Sequence, residues 1–107
     1  MTACVFCSIV RGDAPAQIVQ EWPDAIAFVP LGPCAADHTL IVPRVHVEDF
    51  TADPEVSAAA MRRASEFASL GQHVAVNIGA AAGQTVFHLH AHVWSCTGSD
   101  MPWEASS

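Results

Sequence analysis

The chain has 107 residues, and its 11 acidic and 4 basic residues give it a net charge of −7. Hydrophobic residues make up 51% and charged residues 14%, which predicts a globular chain with one domain over residues 1–107. Polymeric nucleic acids and anionic membranes attract basic faces, so neither is an expected partner, whereas backbone N–H groups and histidines can still bind a small phosphorylated ligand. No signal-peptide pattern is visible, so we expect a cytoplasmic protein.

The first half of the chain predicts one short helix and three strands. Residues 4–11 have the pattern of a short helical turn that ends at Gly12. Residues 18–21 and 25–29 are predicted strands of a hairpin, joined by a Trp-Pro-Asp turn. Residues 39–42 form a further apolar run before a proline, which predicts a third strand.

The second half predicts one longer helix and two strands. Asp53 is a suitable N-cap, Pro54 fits the first helical position, and Gly71 is the expected stop. Residues 74–78 and 86–94 are predicted strands around a loop at 79–83. Together the elements predict an α+β fold with a largely antiparallel sheet.

Three of the six histidines alternate with apolar residues near the end of the chain. In a strand, His88, His90 and His92 would share one face, about 6.6 Å apart, while the intervening residues enter the core. A histidine-rich solvent face is one alternative, although the uniformly apolar alternate positions disfavour it. A zinc site made of all three is another, but a flat strand would have to bend to bring them together. We therefore expect the three histidines to have different roles.

A neutral imidazole is a nucleophile near pH 7 and needs no activating base. Its attack on phosphorus would give a covalent intermediate that water cleaves. The neighbouring histidines could orient the nucleophile, donate hydrogen bonds to phosphate oxygens or protonate the leaving group.

The loop before the histidines carries possible phosphate donors. Asn77, Gly83, Gln84 and Thr85 offer backbone N–H groups, amides and a hydroxyl. The segment is not a P-loop, because no Gly-Lys-Ser/Thr follows, and by itself it is most typical of a flexible hairpin loop.

The cysteines favour a metal over redox chemistry. Cys4 and Cys7 have Cys-x-x-Cys spacing, which in the absence of a secretion signal indicates either possibility. A thioredoxin-like pair would follow a strand, and the sequence predicts none before Cys4, so we expect redox chemistry to be the weaker option. We expect Cys34 and Cys96 to be small apolar fillers.

The histidine run, His-Leu-His-Ala-His-Val-Trp at 88–94, resembles the signature of the histidine triad (HIT) proteins. Four other segments resemble the same family in the same order, at residues 4–13, 27–29, 38–46 and 83–87. A Met-Pro-Trp sequence at 101–103 is weakly similar to the tail of the nucleoside phosphoramidase branch. The resemblance covers nearly the whole chain.

The resemblance implies a five-stranded antiparallel sheet with two helices, commonly joined to a second copy as a homodimer with one continuous sheet. It implies hydrolysis or transfer of a nucleoside monophosphate, with His90 as the nucleophile and His92 and His38 assisting. Asn77, Gly83, Gln84 and Thr85 would form the substrate-binding loop, together with His90 and His92. Two alternatives are a nucleotide-binding module with little turnover and a small metal-binding interaction domain.

Zinc-containing members of the family also have a Cys-x-x-Cys near the N-terminus. By resemblance, a structural zinc would be held here by Cys4, Cys7, His46 and His88, two thiolates and two imidazoles. The alternative is two free thiols and an exposed His46.

Two positions depart from the family pattern. Pro30 stands where relatives usually carry an acidic residue for the ribose hydroxyls, which predicts weaker or differently arranged ribose binding. Asp37 replaces the usual glycine before His38, where its carboxylate could either orient that histidine or repel a phosphate.

Overall fold

The structure is a computed structural model, and it describes residues 4–95. Its helices and strands, in chain order, are α1 (Val5–Arg11), β1 (Gln17–Glu21), β2 (Ala25–Val29), β3 (Thr39–Pro43), α2 (Pro54–Phe67), β4 (Gln72–Ala75) and β5 (Ala91–Ser95), with a 3-10 turn at Ala80–Ala82. Neither α-helix of the described part is long and apolar enough to cross a membrane.

The five strands form one antiparallel sheet in the order β1-β2-β3-β5-β4. The two helices and this sheet confirm the predicted fold class. In the sheet, Leu40 of β3 lies opposite His92 of β5, so these two side chains point to the same face.

Alternation along the strands gives the sheet two apolar faces. The α1 face consists of Phe6, Ile9, Ile26, Phe28, Leu40 and Val42, all buried. The α2 face consists of Ala27, Ile41, Ala64, Ala91 and Val93, also buried. Since His92 shares its side of the sheet with Leu40, it lies on the α1 face.

The helix α2 begins where the sequence predicts and ends earlier. The Asp53 side chain accepts a hydrogen bond from the Glu55 N–H at 3.0 Å, and Pro54 occupies the first turn. The prediction of Gly71 as the stop is wrong, because α2 ends at Phe67. The backbone turns extended at Ala68, and the Ser69 N–H then donates to Oε1 of Gln72, at 2.8 Å, outside the helical ladder.

The last two strands are also shifted from their predicted bounds. β4 covers Gln72–Ala75 instead of 74–78, because it pairs only as far as Ala75 opposite His92. β5 covers Ala91–Ser95 instead of 86–94. Residues 86–90 leave the sheet because their hydrogen bonds go elsewhere: the Leu89 N–H donates to the carbonyl of Val47, at 2.8 Å.

Candidate active site and candidate metal centre

A cavity of about 560 Å³ lies on the α1 face, next to three histidines. His38 comes from the residue before β3, His92 from β5, and His90 from the irregular segment before β5. The rings of His90 and His92 are 5.1 Å apart, and those of His38 and His92 stack at 5.2 Å. His88, the remaining histidine of the run, instead joins a separate cluster of cysteines and His46.

His90 is buried and oriented by the backbone. Its Nδ1 lies 2.8 Å from the carbonyl of His88, which can only accept, so Nδ1 carries the proton. The unprotonated nitrogen of the neutral ring is therefore Nε2. The Phe6 ring packs edge-on against His90 at 5.1 Å. Burial lowers the pKa of His90, which keeps the imidazole neutral near pH 7.

A hydrogen-bond chain fixes the protons of the other two histidines. The Cys34 N–H donates to Nδ1 of His38 at 3.1 Å, so His38 carries its proton on Nε2. That Nε2 lies 3.0 Å from Nδ1 of His92 and donates to it. His92 therefore carries its own proton on Nε2. It can donate this proton to a ligand that accepts hydrogen bonds, such as a phosphate oxygen.

His38 and His92 are both neutral in this environment. Burial, with smaller contributions from His90 and His38, lowers the pKa of His92 to about 4. Burial also lowers the pKa of His38, against the opposing effect of the Asp37 carboxylate. The three histidines that line the cavity are therefore neutral near pH 7.

The loop predicted to bind phosphate contributes one residue, Thr85, to the cavity wall. Gln84 is buried, and its amide is used within the protein: Oε1 accepts from the Gly79 N–H at 2.8 Å. Its Nε2 donates to the carbonyls of Glu48, at 2.7 Å, and Val86, at 3.0 Å. Gln84 thus fixes the loop in place. Asn77 and Gly83 do not line the cavity, so their ligand contacts, like that of Gln84, stay predictions.

Asp37 makes its hydrogen bonds away from the histidines. Its carboxylate accepts from the Ser95 N–H at 2.9 Å and from Nε2 of Gln72 at 2.8 Å. These two donors hold the pKa of Asp37 below its usual range. The residue connects the segment before β3 to β5 and β4, a contact that the sequence reasoning did not foresee.

The four predicted metal ligands converge at one place. The ligand atoms of Cys4, Cys7, His46 and His88 all lie within 4.8 Å of one another. Nδ1 of His88 lies 3.4 Å from Sγ of Cys4, 3.6 Å from Sγ of Cys7 and 3.1 Å from Nδ1 of His46. Tetrahedral zinc, with bonds of about 2.0 Å to nitrogen and 2.3 Å to sulfur, places its ligands about 3.3–3.8 Å apart. The cluster therefore fits zinc.

The surroundings of the cluster also suit a cation. Nε2 of the buried His88 donates to the carbonyl of Pro43 at 2.9 Å, which leaves the Nδ1 lone pair facing the cysteines. Burial and the neighbouring Cys4 raise the pKa of the Cys7 thiol. Two thiolates this close repel each other, and a bound cation would remove that repulsion.

Sequence reasoning missed two contributors to the site. Cys34, expected to be an apolar filler, is exposed and orients His38 through its backbone N–H. Phe6 packs against both His88 and His90, with ring centroids 5.8 and 5.1 Å apart. It therefore lies between the cysteine–histidine cluster and the cavity. The sequence offered one signal for the contact between Cys34 and His38. Pro33 predicts a turn, and a turn there would bring Cys34 close to His38, four residues later. Cys96 and the Met-Pro-Trp sequence at 101–103 lie outside the described residues.

The fold and the site define an α+β protein with a five-stranded antiparallel sheet and a cavity lined by three histidines. Comparison with known proteins gives the family. Residues 11–97 match the HIT domain. The chain therefore belongs to the histidine triad (HIT) family.

Individual relatives agree with this assignment. The chain is 39% identical over 99 residues to an uncharacterized HIT-like protein of Mycobacterium tuberculosis, covering 84% of this chain and 69% of the relative. It is 31% identical over 113 residues to an adenylylsulfatase of Arabidopsis thaliana, covering 97% of this chain and 57% of that protein.

Two solved structures share the fold. The crystal structure of a HIT family hydrolase from Legionella pneumophila has a TM-score of 0.82 at 30% identity, covering 94% of this chain and 98% of that one. A Zn-bound histidine triad family protein from Mycobacterium smegmatis has a TM-score of 0.79 at 35% identity, covering 92% of this chain and 78% of that one.

Proposed function

We propose that this protein is a hydrolase or nucleotidyl transferase that acts on nucleoside monophosphate esters or phosphoramidates through a covalent intermediate on His90. The observation that carries the proposal is the orientation of His90: its Nδ1 is held by the His88 carbonyl, and its unprotonated Nε2 belongs to the ring that lines the cavity. The Legionella hydrolase and the Arabidopsis adenylylsulfatase support a reaction of this class.

The reaction has two steps. Nε2 of His90 forms a bond to phosphorus while the bond to the leaving group breaks, and the leaving nitrogen or oxygen keeps that electron pair and takes a proton from solvent. Water then attacks phosphorus, releases its proton to solvent and returns the P–N electron pair to His90. In transfer, an acceptor alcohol or amine replaces the water.

His92 and His38 assist without changing charge. The Nε2–H of His92 donates to a phosphate oxygen and stabilises the charge that grows there in the transition state. His38 holds His92 in that tautomer through their 3.0 Å hydrogen bond. Thr85, at the wall of the same cavity, adds a hydroxyl donor.

Zinc has a structural role in this proposal. Cys4, Cys7, His46 and His88 would hold it, and it would cross-link α1 to the segments around β3 and β5. With all four positions filled by protein ligands, His88 is not available as an acid or base. The Zn-bound mycobacterial neighbour supports zinc as the metal.

The first test measures hydrolysis of adenosine 5′-phosphoramidate by the wild type and by His90→Ala. We expect the variant to lose at least about a thousandfold in rate, because nucleophile removal typically costs that much. Mass spectrometry of the acid-quenched wild type should show one added adenylate. His73→Ala is the matched control, since its ring packs on Trp94 and does not line the cavity. Equal rates for wild type and His90→Ala would remove the nucleophile assignment.

A second candidate is a nucleotide-binding module with little turnover. It is favoured by the neutrality of His92 and His38, which gives the described part of the site no cationic acid for the leaving group. Saturable nucleotide binding without any covalent adduct would select this candidate over the enzyme.

A further inference from the structure

The cavity beside His90 has an uncharged wall. Among the described residues that line it, none has a carboxylate, ammonium or guanidinium group. Its polar side chains are the three histidines, Thr85 and Gln17. The remaining surface is aliphatic or aromatic and includes Phe6, Phe28, Leu40 and Val86.

A ribose would find no acidic side chain on this wall, and besides the histidines only Gln17 and Thr85 offer side-chain partners for its hydroxyl groups. Two adjacent hydroxyls taken out of water need partners, and an acidic side chain is the usual partner for ribose. Hydroxyls buried without partners lose binding energy. The histidines can bind the phosphate of a ligand, so the lack of acidic partners affects only the binding of its organic group.

The position that could supply a carboxylate is the end of β2. Pro30 follows Val29 directly and lines the cavity, and so do Leu31 and Gly32. Proline has no backbone N–H and no side-chain donor or acceptor. This stretch therefore offers apolar contact and carbonyl groups, but no side-chain partner for a sugar.

We propose that the cavity does not select for the ribose diol, so that it binds phosphate esters or phosphoramidates with an apolar organic group at least as well as the corresponding ribonucleotides. The inference rests on the proposed function, since it takes the phosphorus to sit at His90, and it extends the substrate class of that site beyond ribonucleotides. The organic group would contact exposed apolar side chains of the lining, such as Val5 and Leu31, and ribose hydroxyls would add little to binding.

The test compares three phosphate monoesters of equal charge on the wild-type protein: AMP, 2′,3′-dideoxy-AMP and phenyl phosphate. Dissociation constants come from titration calorimetry. We expect removal of both hydroxyls to change the Kd less than twofold, and phenyl phosphate to bind at least as tightly as AMP. If AMP binds tenfold or more tightly than its dideoxy analogue, or if none of the three binds saturably, the inference is overturned.

A substitution at the end of β2 adds a second measurement. In Pro30→Asp, the new carboxylate should create a preference for AMP over dideoxy-AMP of at least fivefold, because it supplies a partner for the diol. Pro30→Ala is the control and should keep the wild-type ratio. The ratio is taken within each variant, so any repulsion between the carboxylate and phosphate cancels. An unchanged ratio in a folded Pro30→Asp, judged by circular dichroism, would show that this position does not face the sugar and overturn the inference.

These outcomes are independent of the outcome for catalysis. Absence of the His90 adduct defeats the proposed function, whereas the Kd ratios concern ligand choice alone. A wild type that forms the adduct and yet prefers AMP tenfold keeps the function and loses the inference. If Pro30→Asp does not fold, the wild-type ratios still decide.

Discussion

Adjacent histidines of one short run acquire different chemistry because each is fixed by a different neighbour. Nε2 of His88 donates to Pro43, Nδ1 of His90 donates to the His88 carbonyl, and Nδ1 of His92 accepts from His38. One ring thus turns a lone pair toward thiols, the next has an unprotonated Nε2, and the third has a proton on Nε2 to donate. Each difference follows from which nitrogen the nearest backbone or ring atom engages.

The lowered pKa of His92 gives a prediction for stability against pH. The unfolded histidine binds a proton near pH 6.5, whereas the folded one binds it at a pH of about 4. The contribution of His92 to the free energy of unfolding is therefore fully present above pH 6.5 and falls as the pH drops toward 4. For His92 alone the loss over this window is at most about 3 kcal/mol, and solvent screening of this partly exposed ring makes it smaller. Urea unfolding from pH 8 to 4 should show a flatter profile for His92→Asn than for the wild type.

The difference between the two unfolding profiles is the quantity to compare, because release of any bound metal in acid would affect both proteins equally. Parallel profiles for the wild type and His92→Asn across the whole pH range would contradict the burial-driven pKa shift.

At the scale of elements, α1 and the segment before β5 depend on each other. α1 is a seven-residue helix, too short to be stable by itself, and only Phe6 and Ile9 are buried in it. Cys4 caps its first turn, accepting from the Cys7 N–H at 3.4 Å, and both cysteines contact His88. The cluster of Cys4, Cys7, His46 and His88 thus joins the N-terminal helix to the segment that carries His90.

Removal of the metal ligands tests this connection. The double variant Cys4→Ser, Cys7→Ser should lose zinc and about 2–4 kcal/mol of stability, which corresponds to a Tm lower by about 10 °C or more. Its kcat, measured below that Tm, should fall by a smaller factor, because zinc does not touch the substrate. Elemental analysis and calorimetry provide the measurements.

Ser8→Ala, on the same helix, is the control and should keep both zinc and Tm, since its hydroxyl contacts only the exposed Arg11 among the described residues. An unchanged Tm in the cysteine variant, with no zinc in either protein, would show that the cluster does not bind a structural metal.

At the scale of the whole molecule, the sheet ends in two edge strands, β1 and β4. All five residues of β1 are exposed, and Val74 on β4 is 42% exposed. Edge strands of this kind have unpaired backbone groups that can pair with a second chain. The predicted homodimer would extend the sheet across such an edge.

The corresponding prediction is a solution mass of twice the 11.3 kDa of the chain, measured by sedimentation at micromolar concentration. Val74→Lys should shift the equilibrium toward single chains if β4 forms the contact, whereas Val19→Lys tests β1 in the same way. A mass of one chain across the concentration range would contradict the homodimer.

Much of this protein follows from local sequence. The Asp53 cap with Pro54 fixes the start of α2, and the hairpin strands lie within one residue of their predicted bounds. The residue types also indicate chemistry, because thiols with two-residue spacing and a run of imidazoles have few structural uses. These features were predictable because each depends on neighbours within a few positions in the chain.

The tertiary structure decides which side chains meet. The histidine run was predicted as a continuous strand, yet β5 begins only at Ala91, because Leu89 donates to Val47 across the fold. Asp37 binds Ser95, 58 residues away, and the buried Gln84 amide reaches the Glu48 carbonyl. Hydrogen bonds between distant segments set proton positions, ligand access and strand ends, and periodicity along the chain does not contain that information.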